Sequence, residues 1–216
     1  MKFEATEQKP AYFQEEWPGQ YELFHWFEFV CGIPHPLFLV STCKENGQPN
    51  ACLHSWSSFV SDSGGFYAVM LGLLRRTHTY QNIVRTKEFC INFLGVDYFA
   101  QCQQTIAVND FETDEFAAGG FTPEPAKTIQ VPRIKESFLS LECRLVMEQD
   151  LSQQGMSALV IGKVQAIALD ARHGADVYAR YGRDGFMFNI HQPQNPSNGR
   201  GEVSGVGVIE VVKKYE

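Results

Sequence analysis

Seven short runs of apolar and β-branched residues recur along the chain, and none of them alternates with a long amphipathic helix. No other feature constrains the fold so strongly. Successive side chains of a strand point to opposite faces, so such runs bury their apolar face by pairing into sheets. Without long helices between them, the doubly wound parallel arrangement is excluded. The runs are 36–43 (PLFLVSTC), 50–60 (NACLHSWSSFV), 64–72 (GGFYAVMLG), 88–93 (EFCINF), 140–150 (SLECRLVMEQD), 157–170 (SALVIGKVQAIALD) and 205–212 (GVGVIEVV). Asn46-Gly47 marks a hairpin after the first run, and LSQQGM joins the fifth and sixth as another.

Helical signals are fewer and shorter. Thr79–Arg85 suits a short helix, and 96–108 places Val96, Phe99, Gln103 and Ile106 at helical spacing. A single turn is expected over 114–120, ended by Gly119-Gly120. The segment FTPEPAKTIQVPR, with three prolines, reads as loop or edge, and 189–205 as a second irregular stretch. The fold class is therefore mainly β with short helices, as an antiparallel barrel or sandwich. At 216 residues, 1–216 reads as a single domain.

The net charge of −7 opposes a broad basic face, so general nucleic-acid binding is excluded as a reading. No apolar run approaches the ~20 residues of a membrane helix, and the start MKFEATEQKPAYFQEEW carries no signal-peptide pattern. The expectation is a cytoplasmic protein with no nucleic-acid or membrane partner. Cys31, Cys43, Cys52, Cys90, Cys102 and Cys143 form no C-x-x-C pair, and the histidines form no H-x-x-x-H, so no metal site is expected. The cysteines read as small buried hydrophobes kept reduced.

Neither G-x-G-x-x-G nor G-x-x-x-x-G-K is present. The stretch GLLRRTHTYQNIV (72–84) offers another way to hold a phosphate. A helix N-terminus presents free N–H groups and partial positive charge, Thr77 or Thr79 can cap it, and Arg75 before it carries a planar fork of donors. The alternative is a solvated strand end followed by an ordinary cap. In NACLHSWSSFVS, Ser55, Ser57, Ser58 and Ser61 interleave with Trp56 and Phe59. Those hydroxyls can donate to a flat ring and its polyol tail, or can simply face solvent.

These pieces occur in a telling order: GIPHPLFLVSTCKENGQPNACLHSWSSFVS, LRRTHTYQNIVRTKEFCINF, TDEFAAGGFTPEP, PRIKESFLSLECRL and SALVIGKV. In that order the chain resembles the flavin reductase-like family, above all its flavoredoxin-like branch. The resemblance is strongest over 33–168 and implies an FMN-binding split β-barrel, with 171–205 as a C-terminal insertion or cap. It also implies a homodimer with FMN near the subunit interface.

Carried over by position, the resemblance puts Asn50 close to the flavin and Ser55, Trp56, Ser57 and Ser58 along its ring and ribityl chain. It puts Arg75, Thr77, His78, Thr79 and Asn82 around the phosphate, with Tyr80 and Ile83 in the same motif. No catalytic residue is assigned. The chain departs from the family at Ser61-Asp62-Ser63-Gly64-Gly65, where prolines are usual, and at Glu115, where lysine is frequent. It departs again at Ser157, where nicotinamide-using members often carry histidine.

The implied function is an FMN-dependent oxidoreductase passing electrons from NADH, NADPH or a protein donor, its redox partner, through bound FMN to an acceptor. The alternative is an FMN-containing electron carrier without NAD(P)H turnover of its own, which Ser157 favours.

Overall fold

The computed structural model describes residues 2–108 and 110–212. In chain order the elements begin with α1 (Gln20–Leu23), α2 (Trp26–Cys31), β1 (His35–Cys43), β2 (Pro49–His54) and β3 (Ser57–Asp62). They continue with β4 (Gly65–Leu74), α3 (His78–Thr86), β5 (Glu88–Phe93), α4 (Phe99–Gln104) and α5 (Glu115–Gly119). Next come two-residue strands β6 (Pro123–Glu124) and β7 (Arg133–Ile134), then β8 (Leu139–Asp150), β9 (Ser157–Leu169) and α6 (Ala171–Ala175). The last two are β10 (Met187–Ile190) and β11 (Gly205–Val208). The described residues divide into two compact units, one of residues 2–35 with 188–207 and one of residues 36–187 with 208–212.

The larger unit is an antiparallel ladder in the order β2–β1–β5–β8–β9–β4–β3. Its two outermost strands, β2 and β3, are consecutive in the chain and joined only by Ser55 and Trp56. Three Cα steps span at most about 11 Å, so the two ends of the ladder must meet. The sheet therefore closes on itself without pairing β2 to β3. A register shift between Met70 and Leu73 in β4, with Gly72 at φ +68°, frees the Leu71 N–H to bond the Trp56 carbonyl at 2.8 Å.

The core follows from closure. Phe38, Val40, Met70, Phe89, Ile91 and Val160 project from four strands into one cluster, which α3 completes with Tyr80 and Ile83. Each such side chain contributes about 1.5–3 kcal/mol on burial. Buried polar side chains pin the loops around it. Glu142 accepts the Lys127 and Thr128 N–H groups at 2.9 and 2.7 Å, and Asn92 accepts the Ile134 N–H at 3.0 Å.

In the smaller unit, Phe13 meets Trp26 edge-on at 5.0 Å. Gln194 donates its N–H to the Phe29 carbonyl at 3.0 Å and accepts from the Tyr21 hydroxyl at 3.0 Å. Here α1 and α2 were not foreseen, because four and six residues are too few to show a helical period.

Several expectations change. The run 50–60 is two strands, because Trp56 at φ +36° breaks it. The helix expected over 96–108 is a 3₁₀ turn at Val96–Tyr98 followed by α4, and it stops at Gln104. Thr105 ends it by bonding its hydroxyl back to the Cys102 carbonyl at 2.7 Å. The last run is strand only over 205–208, and the end of the chain, 213–216, lies outside the described residues. The cysteine reading holds for buried Cys90, Cys102 and Cys143, whereas Cys31 is exposed and Cys43 and Cys52 are half-buried.

Candidate functional site

Both ends of β2 carry residues that the sequence singles out. At its C-terminal end, Ser55 is buried, and its hydroxyl and that of half-buried Ser57 have no hydrogen-bond partner among the described residues. A buried hydroxyl without a partner costs about 1–3 kcal/mol. Trp56 between them occupies a backbone region rarely populated by anything but glycine, and its indole lies 6.1 Å from the His54 ring. Strain of this kind persists only where the surroundings over-determine it, and here closure of the ladder does so. Ser58 is exposed on β3, opposite Val69.

The other end of β2 packs on α3. Thr77 caps that helix: its hydroxyl accepts the Tyr80 N–H at 3.4 Å and donates to the Leu74 carbonyl at 2.8 Å. His78 opens the first turn, with buried Nδ1 unpartnered among the described residues and its ring 5.9 Å from Phe111 at 83°. Arg75 lies 3.4 Å from Asp150 and 3.8 Å from Glu148, with its guanidinium 5.3 Å from the Tyr80 ring centre. Tyr80 donates its hydroxyl to the same Glu148 at 2.7 Å.

Asn50, Thr79 and Asn82 are brought together as one buried polar network. Asn82 Nδ2 donates to Thr42 Oγ1 at 3.1 Å, and Arg85 donates to Asn82 Oδ1 at 3.3 Å. The Asn50 amide is satisfied with its nitrogen toward Glu115 Oε1 at 3.2 Å. Its oxygen then accepts the Thr42 and Thr79 hydroxyls, each at 3.1 Å, and the Ala51 N–H at 3.3 Å. The reverse orientation would face two oxygens with no proton between them. Glu115 Oε2 pairs with Lys44 Nζ at 3.0 Å, and Lys44 also donates to the Phe111 and Thr113 carbonyls at 3.0 and 2.5 Å.

Electrostatics follow from burial. His54 is pushed down to about 4, so it is neutral near pH 7. Burial pushes the Cys52 thiol up to about 11 and raises Glu115, against the pull of an N–H at the start of α5 and of Lys44.

Thr42, Lys44, His54 and Glu115 are members that reasoning from sequence missed as site residues. Lys44 stands in the turn KENG, which by itself carries no sign of a site. Only Glu115 carried a signal, as an acid where the resembling family favours a base.

A separate cleft of about 340 Å³ opens beside Tyr98, Lys135, Phe138, Asp170 and His173. Its ions are largely spent on one another. Arg172 pairs with Asp184 at 2.5 Å, Arg183 pairs with Asp97, and His173 sets both ring nitrogens against acceptors, Asp170 at 3.0 Å and the Asp184 carbonyl at 3.1 Å.

The orphaned polar atoms at β2 and α3 therefore suit a ligand with a flat polar head near Ser55–Ser57 and an anionic tail near His78. The stretch from Asn50 to Ser55 spans about 16 Å, five residue steps at ~3.3 Å each.

Comparison with known proteins identifies the family and the fold. The flavin reductase like domain matches residues 30–186. An uncharacterized protein of Aquifex aeolicus is 32% identical over 126 residues, covering 55% of this chain and 63% of that protein. The chain thus spans less than two thirds of that relative's length. Among solved structures, a split-barrel protein of Shewanella frigidimarina assigned to the flavin reductases superposes with a TM-score of 0.71 at 21% identity, over 88% of this chain and 90% of that one. Flavoredoxin of Desulfovibrio vulgaris superposes at 0.57 with 24% identity, over 64% and 72%. The closed ladder is accordingly a split β-barrel of this kind.

Proposed function

The chain belongs to the flavin reductase-like domain family, and from that premise we propose that it is an FMN-dependent oxidoreductase. One observation carries the reading. Two buried hydroxyls, Ser55 and Ser57, lack partners among the described residues where β2 hands over to β3, and β2 itself packs on α3. Those donors suit the ring and ribityl chain. His78, the free N–H groups at the start of α3 and Arg75 suit the phosphate.

When bound, FMN would supply the redox chemistry, taking a hydride or electrons at its ring. The chain's own residues would bind and orient it. Ser55 and Ser57 would hold the ring edge, Trp56 would set the turn beside it, and the barrel wall would exclude water. Asn50, Thr79 and Asn82 already satisfy one another, so their part is to hold β2 and α3 in place. Exposed Ser58 would serve only the solvent side of the ligand.

Electrons would come from NADH, NADPH or a partner protein. The carrier reading, without NAD(P)H turnover, rests on Ser157 at the start of β9 opposite Leu74, where a histidine ring is missing. The same proposal takes residues 1–216 to act as one domain in a cytoplasmic homodimer. Exposed Val146 and Met147 on β8 and Ile167 on β9 supply apolar surface for a second copy.

The test begins with the protein as purified, then after incubation with FMN. A yellow protein, or quenching of FMN fluorescence at one equivalent per chain, is expected. Anaerobic addition of NADH and of NADPH then separates the two readings, because bleaching of the flavin band means direct oxidation. A protein that stays colourless and leaves FMN fluorescence unquenched overturns the proposal.

A further inference from the structure

Lys44 is a wholly buried cation, its side chain 0% exposed, paired to a carboxylate only 4% exposed. Taking two such ions out of water costs several kcal/mol each, and an apolar pair of similar volume would hold the fold as well. Their value here lies in direction, because two routes lead from Lys44 to adjacent residues of one helical turn. Through Glu115, the carboxylate draws the Asn50 amide nitrogen, which turns the amide oxygen toward Thr79. Through the Phe111 carbonyl, Lys44 fixes the ring that packs edge-on against His78. His78 and Thr79 are the first two residues of α3.

The network also sorts the hydroxyls. Thr42 and Thr79 both give their protons to Asn50, and Thr77 gives its proton to Leu74. Among the described residues, Thr42, Thr77 and Thr79 keep no proton for a ligand, whereas His78 Nδ1 is buried and unpartnered. The exposed end of Lys44, which a phosphate would need, does not exist.

We propose that Lys44 and Glu115 are positioning residues for the phosphate end of the flavin site, acting through Asn50–Thr79 and Phe111–His78 to aim the first turn of α3. This rests on the flavin reading above. It predicts that the pair governs discrimination between FMN and riboflavin, since only the phosphate reaches that turn.

The experiment measures dissociation constants for FMN and riboflavin with the wild-type chain and with Lys44→Met/Glu115→Leu, an apolar replacement of the pair. The expected result is a loss of about tenfold or more in FMN affinity. Riboflavin affinity should stay within about twofold, and the ³¹P resonance of bound FMN should move. Glu115→Gln, which keeps an acceptor for Asn50, should recover most of the FMN affinity that Glu115→Leu loses. If the double variant does not fold, Glu115→Asp, which keeps a charge beside Lys44 and shortens its reach to Asn50, gives the same comparison: FMN affinity falls and riboflavin affinity does not.

Equal losses for FMN and riboflavin, or an unchanged FMN constant and ³¹P shift, overturn the positioning role while leaving the flavin reading intact. A wild-type chain that binds neither flavin overturns the flavin reading itself.

Discussion

Gly162 on β9 lies against the ring of Phe89 on β5: a Cβ on the glycine would fall 2.3 Å from Phe89 Cζ and 3.1 Å from Cys143 Cβ. Because β8 separates β9 from β5 in the ladder, the contact crosses the barrel interior over a neighbour and depends on curvature. Gly162→Ala is therefore expected to destabilise the fold by about 1–3 kcal/mol, the usual cost of overpacking. Urea unfolding reads this directly, and an unchanged midpoint would show that the ring moves aside freely.

The buried pair has its own stability signature. Lys44→Met strands the Glu115 carboxylate and should cost roughly 3–5 kcal/mol, with most of it recovered when Glu115→Leu is added. A thermal melt of the three variants checks the order. A single variant as stable as the double would mean that Glu115 takes up a proton instead.

His54 sets a slope on the acid side. Its folded pKa lies near 4 because of burial, below the 6.5 of an exposed imidazole. Above pH 6.5 both folded and unfolded forms are neutral and the group contributes nothing. Between about 6.5 and 4 the unfolded chain takes up a proton that the folded chain refuses, so stability falls by about 3 kcal/mol over that window and then levels. His54→Gln should flatten this part of a stability–pH curve. Equal slopes in both proteins would remove His54 as the cause.

Thiol reactivity should follow exposure. Cys31 is exposed, while burial holds Cys52 at about 11 and Cys102 at about 12 and raises Cys90 and Cys143 as well. Brief alkylation of the native protein followed by mass spectrometry should label Cys31 first and leave Cys90, Cys102 and Cys143 unmodified. Early label on any of those three would mean that the barrel opens readily.

Arg75 faces Asp150 and Glu148, so a bound phosphate would compete with them for its guanidinium. Arg75→Ala is expected to weaken FMN binding by about 1.5–3 kcal/mol, the scale of hydrogen bonds to charged groups. Asp150→Asn should strengthen binding by relieving the competition. If neither constant moves, Arg75 serves only to join the end of β4 to β8.

The chain's local patterns determined most of its elements. The run 88–93 became β5 residue for residue, because Phe89, Cys90, Ile91 and Phe93 make a short apolar run with Gly95 close behind it. Asn46-Gly47 made its hairpin between β1 and β2, with Gly47 at φ +84° as such turns require. The cap of α3 was legible too, since a threonine ahead of a helix is a local signal; Thr77 rather than Thr79 supplies it.

What the tertiary structure alone decided is which of those polar residues remain free. Asn50, Thr79 and Asn82 read from sequence as ligand contacts; in the fold they also join one network through Thr42, which faces Asn50 across the β1–β2 hairpin, and through Glu115, 65 residues from Asn50 in the chain. Lys44 stands in the turn KENG, and only the fold encloses it, by the 111–115 segment. Hydrogen-bond partnership across such distances depends on how strands curl and where loops fold back. Residue type and spacing along the chain carry no record of either.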